Sequence, residues 1–174
     1  MVTLAIDAST KSSGIAVFED QQLKYYECIT ASSANLYNRI DKMIEGIEKV
    51  IKDFQPTNII IEEVLLEDIH HNNNVFKALL YLQGFIMHLL NKYKLVNNVK
   101  FFGASEWRKK CGIHTGRGVL RDSLKKKDIE FVKSQFDLTV NDDIADAICL
   151  GFAAVGGTIK QPQVIIDDSG FEFA

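Results

Sequence analysis

Apolar positions recur along the chain with two periods, and each period marks a kind of element. Leu4 and Ile6, then Ile15, Val17 and Phe18, predict strands over 2–8 and 13–19. The Ser-Thr-Lys-Ser-Ser-Gly turn between them predicts a hairpin, and a third strand over about 22–29 carries Leu23, Tyr25, Tyr26, Cys28 and Ile29. The period then lengthens. From Asn35 to Phe54, the residues Leu36, Ile40, Met43, Ile44, Ile47, Val50 and Ile51 fall at helical spacing. Pro56 and Asn58 end that helix and open a strand over 58–62. Beyond Asn72, Asn73 and Asn74, a long helix over about 75–93 has Leu79, Leu82, Ile86, Leu89 and Leu90 on its apolar side, and a short strand follows at 98–102. A basic stretch punctuated by Gly112, Gly116 and Gly118 occupies 103–118, ahead of a basic helix over about 119–135. In the last helix, over about 141–155, Ile144, Ile148, Phe152 and Val155 form the stripe expected to dock against the sheet.

A three-strand meander followed by strand–helix–strand crossovers predicts an α/β fold, a mixed five-stranded sheet flanked by helices on both faces. One domain over 1–156 is expected, beginning with a core strand at Val2, and a polar tail over 157–174, Asp167-Asp168-Ser169-Gly170-Phe171-Glu172-Phe173 near its end, is expected to be loosely held. The long helix is more apolar than a one-sided surface helix requires, since Phe76, Leu80, Phe85 and Met87 join its stripe. Its extra apolar face is either a subunit interface or deeply buried.

Against this pattern, four acids stand out. Asp7 ends the run Val2-Thr3-Leu4-Ala5-Ile6, Glu62 ends Asn58-Ile59-Ile60-Ile61, and Asp143 and Asp146 open the apolar last helix. Carboxylates at the ends of core strands need compensation, and several converging on one spot repel one another unless a cation joins them. An all-oxygen, all-carboxylate set suits Mg²⁺, with Mn²⁺ as a substitute. Parallel strand ends would carry Asp7 and Glu62 side by side, where open α/β sheets place ligands, and Asp143 and Asp146 share nearly one helix face. Such a set is enough for two ions about 3.5–4 Å apart, the arrangement used in phosphodiester cleavage. Singly, the acids have plainer readings. Asp7 suits a strand-end turn, Asp142 and Asp143 suit a helix cap, and Glu63 competes with Glu62 as the inward acid, because a one-residue shift reverses the face.

Charge distribution adds a second clue. The net charge of −3 says little, but Arg108, Lys109, Lys110, Arg117, Arg121, Lys125, Lys126 and Lys127 fall in one stretch. They fit either an arm that closes on phosphates or a solvated helix face. Trp107, the single tryptophan, either lies in the core or braces that arm. His70 and His71, in the loop leaving Glu62, read as surface residues with access to a substrate. Three dispersed cysteines, Cys28, Cys111 and Cys149, predict free thiols in a cytoplasmic protein. Cys111 and His114 have half a zinc site's spacing and no second pair. No apolar run is long enough to span a bilayer.

An ordered set of short motifs ties these features together: Ala5-Ile6-Asp7-Ala8-Ser9-Thr10 with Ser13-Gly14-Ile15-Ala16, then Ile60-Ile61-Glu62-Glu63-Val64, Leu82-Gln83-Gly84, and Asp143-Ile144-Ala145-Asp146-Ala147. In this it resembles RuvC, the bacterial Holliday junction resolvase family, and more particularly the divergent RuvC-like resolvases of bacteriophages. The resemblance implies an RNase H-like nuclease domain over 1–156 and a homodimer that binds four-way DNA junctions in the cytoplasm of a bacterium or a phage-infected host. It also implies symmetric, Mg²⁺-dependent nicks acting in recombination and repair, and possession of two ions per site by Asp7, Glu62, Asp143 and Asp146. Leu65 stands where the family commonly has an aromatic next to the junction centre, and Arg108, Lys109, Lys110, Arg117, Arg121 and Lys125 are the expected phosphate-binding positions. A branch-migration motor as partner is left open. Asp7-Ala8-Ser9-Thr10 with Ser13-Gly14-Ile15-Ala16-Val17 also resembles the first phosphate-binding hairpin of actin-like ATPases and sugar kinases. Those proteins need two such domains, and their reaction gives Asp143 and Asp146 no role. A non-catalytic junction-binding protein is the third reading.

Overall fold

The computed structural model describes residues 1–64, 73–116 and 118–159. The strands are β1 (Val2–Asp7), β2 (Ser12–Glu19), β3 (Gln22–Thr30), β4 (Asn58–Glu62) and β5 (Val99–Phe102). The helices are α1 (Leu36–Phe54), α2 (Asn73–Lys92), α3 (Ala104–Lys110), α4 (Arg121–Phe136) and α5 (Asp142–Ala154). The strands form one sheet in the order β3-β2-β1-β4-β5. β1–β2 and β2–β3 pair antiparallel, whereas β1–β4 and β4–β5 pair parallel, so the sheet is mixed and five-stranded as expected.

Alternation along the strands sorts the core into two layers. Leu4, Ile6, Ile15, Val17, Ile59 and Ile61 face α1 and α2, whose Ile40, Met43, Ile47, Leu82 and Ile86 complete one cluster. Ala5, Ala16, Phe18 and Ile60 face the other way, against Trp107 of α3, Val132 of α4 and the nearly all-buried α5. Helices therefore cover both faces.

Two sequence expectations need correction here. The stretch 103–118 is not simply an arm: α3 lies within it, and Cys111 and Ile113 are buried in the second cluster. Seven residues with one large inward side chain give no readable period. The stripe on α5 is also different. The row that abuts the sheet is Asp143, Ala147 and Gly151, meeting Gly14 and Phe18 of β2 and Ala5 of β1. Phe152, placed on the sheet by its hydrophobicity, instead stacks edge-on against Phe131 and Phe136 of α4. Small residues let the helix backbone approach the strands closely, and large ones fill the wider gap between helices.

The long helix divides its extra apolar residues. Phe76 is buried, while Leu80, Tyr81 and Phe85 are 43%, 49% and 43% exposed. Among the described residues no helix is long and apolar enough to cross a membrane.

Candidate metal centre

The register explains how the first two acids meet. β1 and β4 pair in parallel with Ile6 opposite Ile61, so the next residues, Asp7 and Glu62, end neighbouring strands side by side. Ile6 and Ile61 belong to the α1–α2 cluster, so Asp7 and Glu62 fall on the opposite, α5 face. The same alternation leaves Glu63 beyond the strand, exposed, with its N–H donating to the Phe102 carbonyl at 3.0 Å.

α5 brings the second pair. Its cap is Asn141, whose side chain accepts from the Ile144 N–H at 2.9 Å, so neither Asp142 nor Asp143 is needed for capping. Asp142 pairs with Lys125 of α4. Asp143 accepts from the Ser12 hydroxyl of β2, which also lies 3.0 Å from the Cys28 thiol of β3. Asp146, one turn on, is buried. The approach depends on Gly14, because a Cβ there would collide with the Asp143 carbonyl oxygen.

Asp7, Glu62, Asp143 and Asp146 all line one cleft of about 600 Å³, with Arg108, Arg121 and Lys125 on its walls and Val75, Phe76 and Leu79 of α2 at its apolar side. Glu63 also borders it. Lys109 and Lys110 are exposed, and Lys110 packs over the Phe102 ring and pairs with Glu106 at 3.5 Å. Leu65, His70, His71, Arg117 and the tail over 160–174 lie outside the described residues.

Trp107 and Asp128, which the sequence did not assign to the site, hold it together with Arg108, which was expected at phosphates. Trp107 is fully buried and donates its indole N–H to Glu62 at 2.9 Å. Arg108 stacks 4.2 Å from the Trp107 ring centroid and forks onto Asp128, with Nε–Oδ1 at 3.2 Å and Nη2–Oδ2 at 2.8 Å. The same Nη2 lies 3.6 Å from Asp146 Oδ1. Asp128 sits in Lys125-Lys126-Lys127-Asp128, a string whose sequence suggests only a wet helix face, yet it is wholly buried.

The electrostatics are those of a crowded anion site. Burial first, then the charges of Glu62 and Asp143, push the Asp7 carboxyl well above the usual range; Lys125 and Arg108 only partly oppose them. Glu62 is raised by burial against the pull of the Trp107 hydrogen bond. Asp146 is pushed up to about 9, chiefly by burial and then by Asp7 and Asp128. Its Oδ1 is buried without a hydrogen-bond partner. Among the described residues no three acid, imidazole or thiol side chains close on one point as a ready-made ligand shell. The donor set nevertheless fits a divalent cation: hard oxygen ligands, mutual repulsion, and one orphaned oxygen that a cation would satisfy.

Stability should report this crowding. Between pH 3.8 and about 9 the folded Asp146 keeps a proton that the unfolded chain gives up. Unfolding thus releases a proton, and stability falls as pH rises, by up to about 1.4 kcal/mol per pH unit from this group. Denaturant titrations in EDTA from pH 5 to 9 should show the decline, and Asp146→Asn should make it shallower, Asp7 and Glu62 contributing the rest. A level wild-type profile would contradict the burial of that carboxyl.

Known proteins share this arrangement of elements. A family model, Crossover junction endodeoxyribonuclease RuvC, matches residues 3–155. The Crossover junction endodeoxyribonucleases RuvC of Rickettsia conorii and Rickettsia typhi are 29% and 30% identical to this chain over 160 residues, covering 89% of it and 97% of each relative. Among solved structures, Thermus thermophilus RuvC in complex with a Holliday junction substrate superposes with a TM-score of 0.71 at 14% identity, over 90% of this chain and 94% of that one. The yeast mitochondrial Holliday junction resolvase superposes with a TM-score of 0.58 at 10% identity, over 88% and 78% of the two chains.

Proposed function

Since the chain belongs to the RuvC family of crossover junction endodeoxyribonucleases, we propose that its acid-lined cleft is where it nicks four-way DNA junctions, with Mg²⁺ held by Asp7, Glu62, Asp143 and Asp146. The fold is RNase H-like, and the protein is a structure-selective DNA endonuclease that resolves Holliday junctions. The convergence of acids from β1, β4 and α5 on one cleft, with Asp146 Oδ1 unsatisfied, carries the assignment of the site.

Two ions fit the reading, with Mn²⁺ as substitute; bound there, they would supply Lewis-acid stabilisation of the phosphodiester and a lowered pKa for the attacking water. The chain's own residues prepare the cleft. Ser12 orients Asp143, and Trp107 orients Glu62, each with a donated hydrogen bond. Arg121 and Lys125 on the walls supply positive charge toward the phosphates of an entering strand, joined by Lys109, Lys110 and Arg117 nearby in sequence. Leu65, three residues past Glu62, is an apolar candidate for contact with unstacked bases at the crossover. Bacterial relatives that act on DNA support the cytoplasm of a bacterial cell, or of a phage-infected one, as the site of action.

Symmetric nicking of a junction needs two active sites, and we assign the partner to a second copy of this chain. The exposed Leu80, Tyr81 and Phe85, on the face of α2 that also carries Gly84, offer an apolar surface for it. Phe85→Glu is expected to weaken dimerisation at least about tenfold, since a buried charge replaces an aromatic contact. Sedimentation velocity over a concentration series checks this, and an unchanged dimer would move the interface elsewhere.

The deciding experiment is cleavage of end-labelled four-way, three-way and linear DNA, each with and without Mg²⁺. Paired nicks confined to branched substrates and dependent on metal are expected. Equal cutting of linear duplex would remove the structure selectivity. ATP hydrolysis without any DNA cleavage would favour the kinase-like reading of the Asp7 hairpin.

A further inference from the structure

Asp128 is a wholly buried carboxylate outside the acid quartet, and the chemistry assigned to the cleft makes no use of it. Its place is specific. It holds one edge of the Arg108 guanidinium through two donors, Nε and Nη2, and Nη2 is the group that lies 3.6 Å from the partnerless Asp146 Oδ1. The 3.6 Å separation is an ion-pair distance and too long for a hydrogen bond. Asp146 therefore lies beside the cation without a hydrogen bond to it, while its carboxyl also hydrogen-bonds with Asp128 itself. Trp107 beneath the guanidinium limits its movement from the third side.

We propose that Asp128 is a positioning residue for junction cleavage: by fixing Arg108 it keeps the Asp146 carboxylate near a cation yet available to a metal. The inference rests on the reading of Asp146 as a metal ligand. Without the Asp128 charge, Arg108 would have Asp146 as its nearest remaining buried anion. A closed Arg108–Asp146 pair would compete directly with Mg²⁺ for the same oxygens.

The test compares wild type, Asp128→Asn, the paired variant Arg108→Gln/Asp128→Asn, and Asp146→Asn. Mg²⁺ titrations of four-way junction cleavage give the half-saturating concentration and the plateau rate, and gel shifts in EDTA give junction binding. Asp128→Asn is expected to raise the half-saturating Mg²⁺ about tenfold, within the range for residues that orient metal ligands. Junction affinity in EDTA should stay at the wild-type value. If Asp128→Asn does not fold, the paired variant decides, since it leaves no buried charge alone. That variant should need no more Mg²⁺ than wild type, because the guanidinium that would compete for Asp146 is gone. A raised Mg²⁺ requirement in the paired variant would show that the effect does not run through a freed Arg108 and overturn the proposal, as would wild-type dependence in a folded Asp128→Asn. Asp146→Asn separates the two levels of inference. Undiminished cleavage by it removes Asp146 from the metal site, and the proposal falls with it. Lost cleavage by Asp146→Asn together with an unaltered Asp128→Asn leaves the metal site standing and rejects the positioning role alone.

Discussion

Asp7→Asn should lower junction cleavage at least about a thousandfold, or about 4 kcal/mol of transition-state stabilisation, while junction binding stays intact or tightens. Asp7 stands between Glu62 and Asp143, the two acids whose charges press on it most, so it is the central member of the cluster. An amide of the same shape keeps the strand end and removes one anion from the proposed metal site. Changing a residue that merely orients a ligand typically costs 10–100-fold, and loss of the ligand itself should cost more. Binding responds with the opposite sign, since one fewer negative charge faces the phosphates. Single-turnover cleavage alongside gel shifts makes the comparison. Full-rate cleavage by the variant would remove Asp7 from the chemistry.

The other large effect is expected at a residue that carries no charge. In Gly14→Ala the new methyl group would meet the Asp143 carbonyl oxygen and sit 3.0 Å from the Ala147 Cβ. Backbone cannot swing aside as a long side chain can, so α5 must lift from β2, taking Asp143 and Asp146 with it. Overpacking of this kind costs roughly 3 kcal/mol, or about 6–12 °C of melting temperature in a chain of this size. Cleavage should fall at least about a hundredfold even at temperatures where the variant is folded. Wild-type activity in a folded Gly14→Ala would mean that the close contact is not what places the two acids.

These two residues mark what the sequence discloses and what it hides. Asp7 is legible because an acid ending an apolar alternating run contradicts its surroundings. The sheet and α1 are legible for a related reason, since Ile40, Met43, Ile47 and Val50 repeat long enough to fix both the helix and its buried face. Gly14 is different. It appears only as part of a turn motif, and nothing local reveals that the start of α5 rests on it. The face of α5 was misassigned on the same principle: hydrophobicity selects Phe152, whereas the sheet demands Ala147 and Gly151. Trp107, Arg108 and Asp128 act through contacts between segments distant in sequence, with Glu62 for the first and across two helices for the others. No period along the chain encodes such pairings.

The seam of small residues between α5 and the sheet has a bearing on how substrates are told apart. Close-packed backbones leave little slack, so the acids on α5 and those on β1 and β4 form a jaw of fixed gape. Such a jaw cannot widen or narrow to suit different helices. The burden of adaptation then passes to the DNA, and a substrate that deforms readily is expected to be favoured over one that resists. Amide exchange along α5 should accordingly be as slow in the free enzyme as in the junction complex, and marked slowing on binding would indicate a jaw that closes. With rigidity on the protein side, selectivity is expected to become a mechanical test of the substrate, in which what is cut is what can bend.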